Sequence, residues 1–168
     1  MNQTNVRQAH LNASGFMVLG RNRVRGISFT GTATAGYVTL FDTATAPVTT
    51  ATYGRSGTTI TVSSTAHGLK TGNMIGVDFA AGTGGTATNG NYVVTVTNAN
   101  TFTITDINSG SITAGAAMVY AGAWLMTYDV TAGDTYNNAP FIPEDGVLAV
   151  NGIYASMSNV AACNIYYG

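Results

Sequence analysis

The chain has 168 residues, and 8% of them are charged, six Lys or Arg against seven Asp or Glu for a formal net charge of -1; a typical soluble domain carries roughly 25%. With 45% hydrophobic residues in short runs, the chain lacks the low hydrophobicity and high net charge of disorder, and no run of about 20 apolar residues is present to span a bilayer. A lone cysteine, Cys163, excludes an intrachain disulfide and a zinc site built on several thiolates, and a surface so poor in charge favours association between copies or with a partner.

Residues 1–14 place Asn, Gln, Arg and His where a signal peptide has an apolar centre, so they are expected to form an extended N-terminal arm. Strands are expected at 16–19, 24–30 and 37–42, where β-branched and aromatic residues alternate without a helical stripe. Arg21, Arg23 and Arg25 stand at i, i+2 and i+4, a spacing that puts all three on one face of an extended strand. That face is either a solvated strand edge that blunts unwanted pairing or a docking surface for an acidic partner. Nucleic acid is not the expected partner, because a nucleic-acid-binding domain is strongly basic and this chain is not.

Residues 53–121 have a rhythm of their own, with strands at 58–63, 74–79, 92–97, 102–107 and 116–120. The turn Ala66-His67-Gly68-Leu69-Lys70-Thr71-Gly72, a glycine-rich stretch over 80–90 and Asn98-Ala99-Asn100 separate them. On either side, 37–42 and 124–130 read as solitary strands in need of partners. The expected organisation is therefore a discontinuous outer β-sandwich, 15–52 with 122–168, and a small β module inserted at 53–121. Pro140 and Pro143 keep Phe141-Ile142 out of a central ladder. Glu144-Asp145-Gly146 and Asn151-Gly152 are turns, leading into strands at 147–150, 153–157 and 163–167.

Catalysis needs a base, a nucleophile and an orienting group in reach of one another, and the histidines are His10, in the arm, and His67, in a turn. Nothing marks Ser63 or Ser64 as a nucleophile for His67. Asp42, Asp78, Asp106, Asp129, Asp134, Glu144 and Asp145 are scattered, so no metal site is expected. The segment 82–90 lacks the Gly-Lys-Ser/Thr ending and the helix of a phosphate loop. The expectation is a chain that is not an enzyme and takes no cofactor. Tyr128, Tyr136, Tyr154, Tyr166 and Tyr167 are read as sheet packing, with a glycan-binding platform as the alternative.

The segment Gly57-Thr-Thr-Ile-Thr-Val-Ser-Ser-Thr-Ala-His-Gly-Leu-Lys-Thr-Gly-Asn-Met-Ile, followed by Asn89-Gly-Asn-Tyr-Val-Val-Thr-Val and Asn100-Thr-Phe-Thr-Ile, resembles a small β module that recurs in structural proteins of tailed phages. Asn73 stands where that pattern often has Asp. The flanks Gly20-Arg-Asn-Arg-Val-Arg-Gly-Ile, Ile142-Pro-Glu-Asp-Gly-Val-Leu, Gly152-Ile-Tyr and Ile165-Tyr-Tyr-Gly168 are similar to small virion proteins of marine podovirus-like phages. The resemblance implies a capsid cement or decoration protein. Its outer domain, a jelly-roll-like β-sandwich, would dock on the major capsid protein and on copies of itself, with the inserted module outward and no direct contact with nucleic acid or membrane. The expected location is the virion, on the capsid exterior, after assembly in the host cytoplasm. The alternative is a tail or fibre component that binds a host surface glycan.

Overall fold

Val, Ile, Thr and Tyr fit the pleated, half-buried surface of a sheet, and Gly and Asn reverse the chain between strands. In the computed structural model, which describes residues 6–46, 48–136, 142 and 145–168, the chain is all-β, with no helix among the described residues. The strands are β1 (Arg7–Leu11), β2 (Gly15–Leu19), β3 (Asn22–Gly31), β4 (Gly36–Asp42), β5 (Val48–Ser63), β6 (Met74–Phe79) and β7 (Gly90–Val93). They continue as β8 (Thr95–Asn98), β9 (Thr101–Tyr120), β10 (Ala123–Val130), β11 (Thr135–Tyr136), β12 (Val147–Ala149), β13 (Gly152–Ser158) and β14 (Val160–Tyr167). Two compact units form, an outer one of Met1–Ala44 with Leu125–Gly168 and an inserted one of Thr45–Trp124.

The outer unit has two antiparallel sheets, one ordered β1-β14-β3-β11 with β12 also on β3, the other β10-β4-β13-β2. Val24, Ile27, Phe29, Cys163 and Ile165 from the first and Met17, Val38, Leu40, Ile153 and Ala155 from the second close over one core, which makes this a β-sandwich. Residues 7–11 are not an arm. Arg-Gln-Ala-His-Leu alternates, so Ala9 and Leu11 pack against the core while Gln8 Nε2 and His10 Nδ1 each donate to Asn164 Oδ1 at 2.9 Å. Residues 1–5 lie outside the described residues, as do Pro140, Phe141, Pro143 and Glu144.

Asp42, at the end of β4, is 8% exposed. Its carboxylate accepts from the main-chain N–H of Val150 (2.9 Å), Asn151 (2.7 Å) and Gly152 (3.3 Å), which fixes the turn between β12 and β13. Charge-assisted bonds of this kind are about twice as strong as neutral ones. Asp42→Ala is expected to cost the outer unit about 2–4 kcal/mol, read by denaturant unfolding.

In the inserted unit the sheet is ordered β5-β9-β6-β7, with β8 also on β9. Ile60, Val62, Ile75, Val77, Phe102 and Val119 are fully or almost fully buried in a second core. Three expectations change here. The strand expected at 92–97 is interrupted at Val94, and those expected at 102–107 and 116–120 are one strand, β9. The module edge expected at Tyr53 falls inside β5, because Gly54 and Gly57 accommodate bulges in a strand paired along most of its length with β9 rather than ending it.

Candidate functional site

The first candidate is the arginine group. Arg21 is exposed in the turn between β2 and β3, while Arg23 and Arg25 lie half-buried on β3. The pairs Val24↔Tyr167 and Gly26↔Tyr166 enclose a bulge. Val24 and Ile27, three apart, are thereby both turned into the core, and Arg21 lies in the turn before β3 rather than in the extended strand that the expected common face requires. Nor is β3 an edge: Arg23 pairs with Leu148 on one side, and its N–H donates to the Gly168 carbonyl at 3.2 Å on the other. Arg23 Nη1 donates to the Gly146 carbonyl at 3.3 Å, and Arg25 Nε is buried without a hydrogen-bond partner.

The register nevertheless gathers these residues at one end of the sheet, and Arg7, opposite Tyr167 on β1, joins them. The neighbouring turns bond to one another through Gly20 N–H and the Asn151 carbonyl at 3.0 Å. They present Leu19, 65% exposed, and Val150, 55% exposed. Arg21 between two exposed aliphatic residues is the residue mixture of an interaction patch. Reading the sequence alone missed Arg7 and Val150, because only long-range pairing brings them to the end of the sheet that carries Arg21, and it missed Leu19, two residues before Arg21, because its exposure is set by the fold.

The inserted unit holds a buried ion pair. Arg55 Nη1 on β5 lies 2.5 Å from Asp106 Oδ2 on β9, with side chains 9% and 0% exposed. Asp106 also accepts from the N–H of Thr88 at 3.3 Å and of Asn108 at 3.2 Å. Burial alone would raise the Asp106 pKa; the bonds from Thr88, Asn108 and Arg55 outweigh it and hold the carboxyl below its ordinary 3.8. Nearby, burial first and the Asp106 charge second push the Tyr92 phenol up to about 12, against the opposing pull of Arg55. Tyr92 donates its hydroxyl to the Thr88 carbonyl. The pair sits at a wide bulge: between Gly57↔Gly110 and Thr59↔Thr105, residues 106–109 of β9 face Thr58 alone. Asp106 turns inward and Ile107 stands 85% exposed.

His67 is a structural residue here. Its Nδ1 accepts from Leu69 N–H and its Nε2 donates to the Asn98 carbonyl, both at 3.0 Å, with Phe102 edge-on at 5.2 Å between ring centroids. Both ring nitrogens are thus committed to main chain, and neither serves Ser63 or Ser64. His67→Ala is expected to destabilise the inserted unit by about 3 kcal/mol, from two hydrogen bonds and a ring contact, read by denaturant unfolding.

Tyr154 packs edge-on against Phe16 at 5.1 Å, Tyr128 lies tilted at 6.4 Å from Phe29, and Tyr167 packs on the outer core. Tyr166 is half-buried on β14, and the side chain of Tyr136 lies outside the described residues. Spread over β10, β13 and β14, the described tyrosine side chains do not form one platform. Cys163 is fully buried, and burial pushes its thiol up to about 12. Among the described residues no three His, Cys, Asp or Glu side chains gather to hold a metal ion. No protein-family model matches the chain, and comparison with curated proteins gives no match either.

Proposed function

We propose that the chain is a structural component of a virus particle, a cement or decoration protein whose outer unit is a jelly roll that docks on the major capsid protein. The strand order supports this reading. With β11 and β12 taken as one strand, the described strands of the outer unit number eight, ordered first-eighth-third-sixth in one sheet and second-seventh-fourth-fifth in the other. That is the order of two interleaved Greek keys, an architecture used for shell-building and lectin domains. Fold alone does not assign function; the residues that favour docking are Leu19, Arg21 and Val150, with Arg7, Arg23 and Arg25 at the same end of the sheet.

An exposed arginine flanked by aliphatic side chains fits an acidic surface with a small apolar contact, and the low overall charge suits a chain that lives in an assembly. The glycan reading gains nothing from Tyr128, Tyr154 and Tyr167, which pack within the outer unit. The test uses purified heads and the full chain carrying Arg21→Glu together with Val150→Asp, both exposed positions that leave the core intact. The wild-type chain is expected to co-sediment with heads. The double variant should lose at least about tenfold in affinity, the scale of a modest interface hot spot. Equal binding by both, or binding to tails alone, overturns the proposal.

A further inference from the structure

The inserted sheet has an unzipped seam. β8 pairs with β9 through Val96↔Phe102 and Thr95↔Thr103. The same register, continued, would set Val93 opposite Thr105 and Asn91 opposite Ile107, yet the ladder stops at Thr95. In its place lies an open groove of about 400 Å³ whose walls include Asn91 and Val93 on one side and Thr105 and Ile107 on the other.

The alternation of the neighbouring ladders says which way the main chain points. Just after β7, Val94 N–H donates to the Asn73 carbonyl at 3.0 Å, in register with Ile75↔Tyr92 and Val77↔Gly90. The bonded positions toward β6 are therefore Val94, Tyr92 and Gly90. The N–H and C=O of Val93 and Asn91 point away from β6, toward the seam. On β9, Ser64 N–H donates to the Asn100 carbonyl at 2.9 Å, in register with Val62↔Phe102 and Ile60↔Ile104. By the same alternation Thr103 and Thr105 point away from β5; Thr103 meets Thr95, and Thr105 meets the groove.

Each wall has its own anchor. Asn91 spends its side-chain amide on the main chain of Trp124, accepting from its N–H at 2.6 Å and donating to its carbonyl at 3.1 Å. Asn89, just before β7, accepts from Phe79 N–H at 2.7 Å and donates to Asp78 at 2.5 Å. Across the groove, the Arg55–Asp106 pair fixes the bulge that carries Ile107. The walls are two strands with main-chain donors and acceptors toward the seam at Asn91, Val93 and Thr105; they are tied across one end by Thr88, which donates its N–H to Asp106 at 3.3 Å and accepts from Asn108 Nδ2 at 2.9 Å, and across the other by Thr95↔Thr103.

We infer that this seam is a slot for an extended, uncharged peptide segment of a partner protein, which completes the sheet between β7 and β9 by main-chain hydrogen bonding. Strand addition to a free edge draws affinity from the backbone and selectivity from alternate side chains. Here Val93, 57% exposed, and Ile107, 85% exposed, would supply apolar contacts, and no charged side chain lines the groove. A sugar fits less well: Tyr92, the aromatic residue of the groove, is 9% exposed and offers no ring face to stack on. The inference is independent of where the outer unit docks.

The test is amide hydrogen exchange by NMR on the full chain, alone and with synthetic peptides recovered from a random-peptide display library. In the free chain the amides of Asn91, Val93 and Thr105 should exchange at least about tenfold faster than those of Tyr92 and Ile104, whose bonds lie within ladders. An added peptide should protect those three amides. N-methylation of alternate peptide amides should abolish the effect, and Ile107→Asp, at an exposed position, should weaken it at least about tenfold. Protection of the three amides in the free chain overturns the inference, because the seam is then already closed. So does a library that yields no peptide protecting them, or protection produced by neutral oligosaccharides and not by peptides.

Discussion

Asp106→Ala is expected to lower the stability of the inserted unit by about 3–5 kcal/mol, the cost of leaving a buried charge without its partner. Arg55 has no other carboxylate in contact among the described residues, its Nε is already buried without a partner, and the N–H groups of Thr88 and Asn108 would lose their acceptor. Removing both charges, Arg55→Met with Asp106→Leu, should recover much of the loss, because two apolar side chains carry no desolvation penalty. A double-mutant cycle on unfolding free energies reads the difference.

The pair also sets an acid limit. The folded pKa of Asp106 lies below its ordinary 3.8. Its contribution is therefore complete above about pH 4 and is lost as the pH falls through the lower folded value. Tyr92 works in the opposite sense. Its folded pKa is raised from 10.0 to about 12, so its contribution is complete below pH 10 and is lost as the pH climbs toward 12. Unfolding followed from pH 7 to 2 should show an acid slope in the wild type that Asp106→Ala flattens.

Gly36→Ala should cost the outer unit about 3 kcal/mol, the upper range for forcing an atom into a packed site. A Cβ at Gly36 would lie 1.8 Å from the Ser158 carbonyl oxygen and 2.8 Å from Asn159 Cβ. Neither neighbour can turn aside. Ser158 closes the β13–β4 ladder opposite Tyr37, and Asn159 holds a positive φ of 52° in the turn from β13 to β14. Its amide donates to the Ala35 carbonyl at 2.9 Å, which draws that turn over the start of β4. Gly36→Ala should shift the denaturation midpoint of the outer unit, whereas Gly20→Ser, with open space around the added atom but a positive φ, should cost about 1 kcal/mol.

The all-β character was legible because strand-length runs such as Met74–Phe79 sit between Gly and Asn turns. What failed were places where long-range pairing overrides local signals. Arg-Gln-Ala-His-Leu looked like an arm because its polar residues find partners only on Asn164, more than 150 residues away. The strands expected at 102–107 and 116–120 are one because a bulge over 106–109, not a turn, separates them. Of the arginine group the spacing gave the residues but neither the bulge in β3 nor the turn that holds Arg21 outside the strand. The Arg55–Asp106 pair left little trace in the sequence, two opposite charges 51 positions apart in threonine-rich runs. The seam left none, because a missing ladder is a property of register.

The central claim, that the outer unit docks on the shell of a virus head through the end that carries Arg21, is tested most directly by a reconstruction of purified particles. The account predicts density for the chain on the outer face of the capsid, with Leu19, Arg21 and Val150 against the major capsid protein. Density confined to the tail, or an outer unit that meets the shell by a different face, would contradict it.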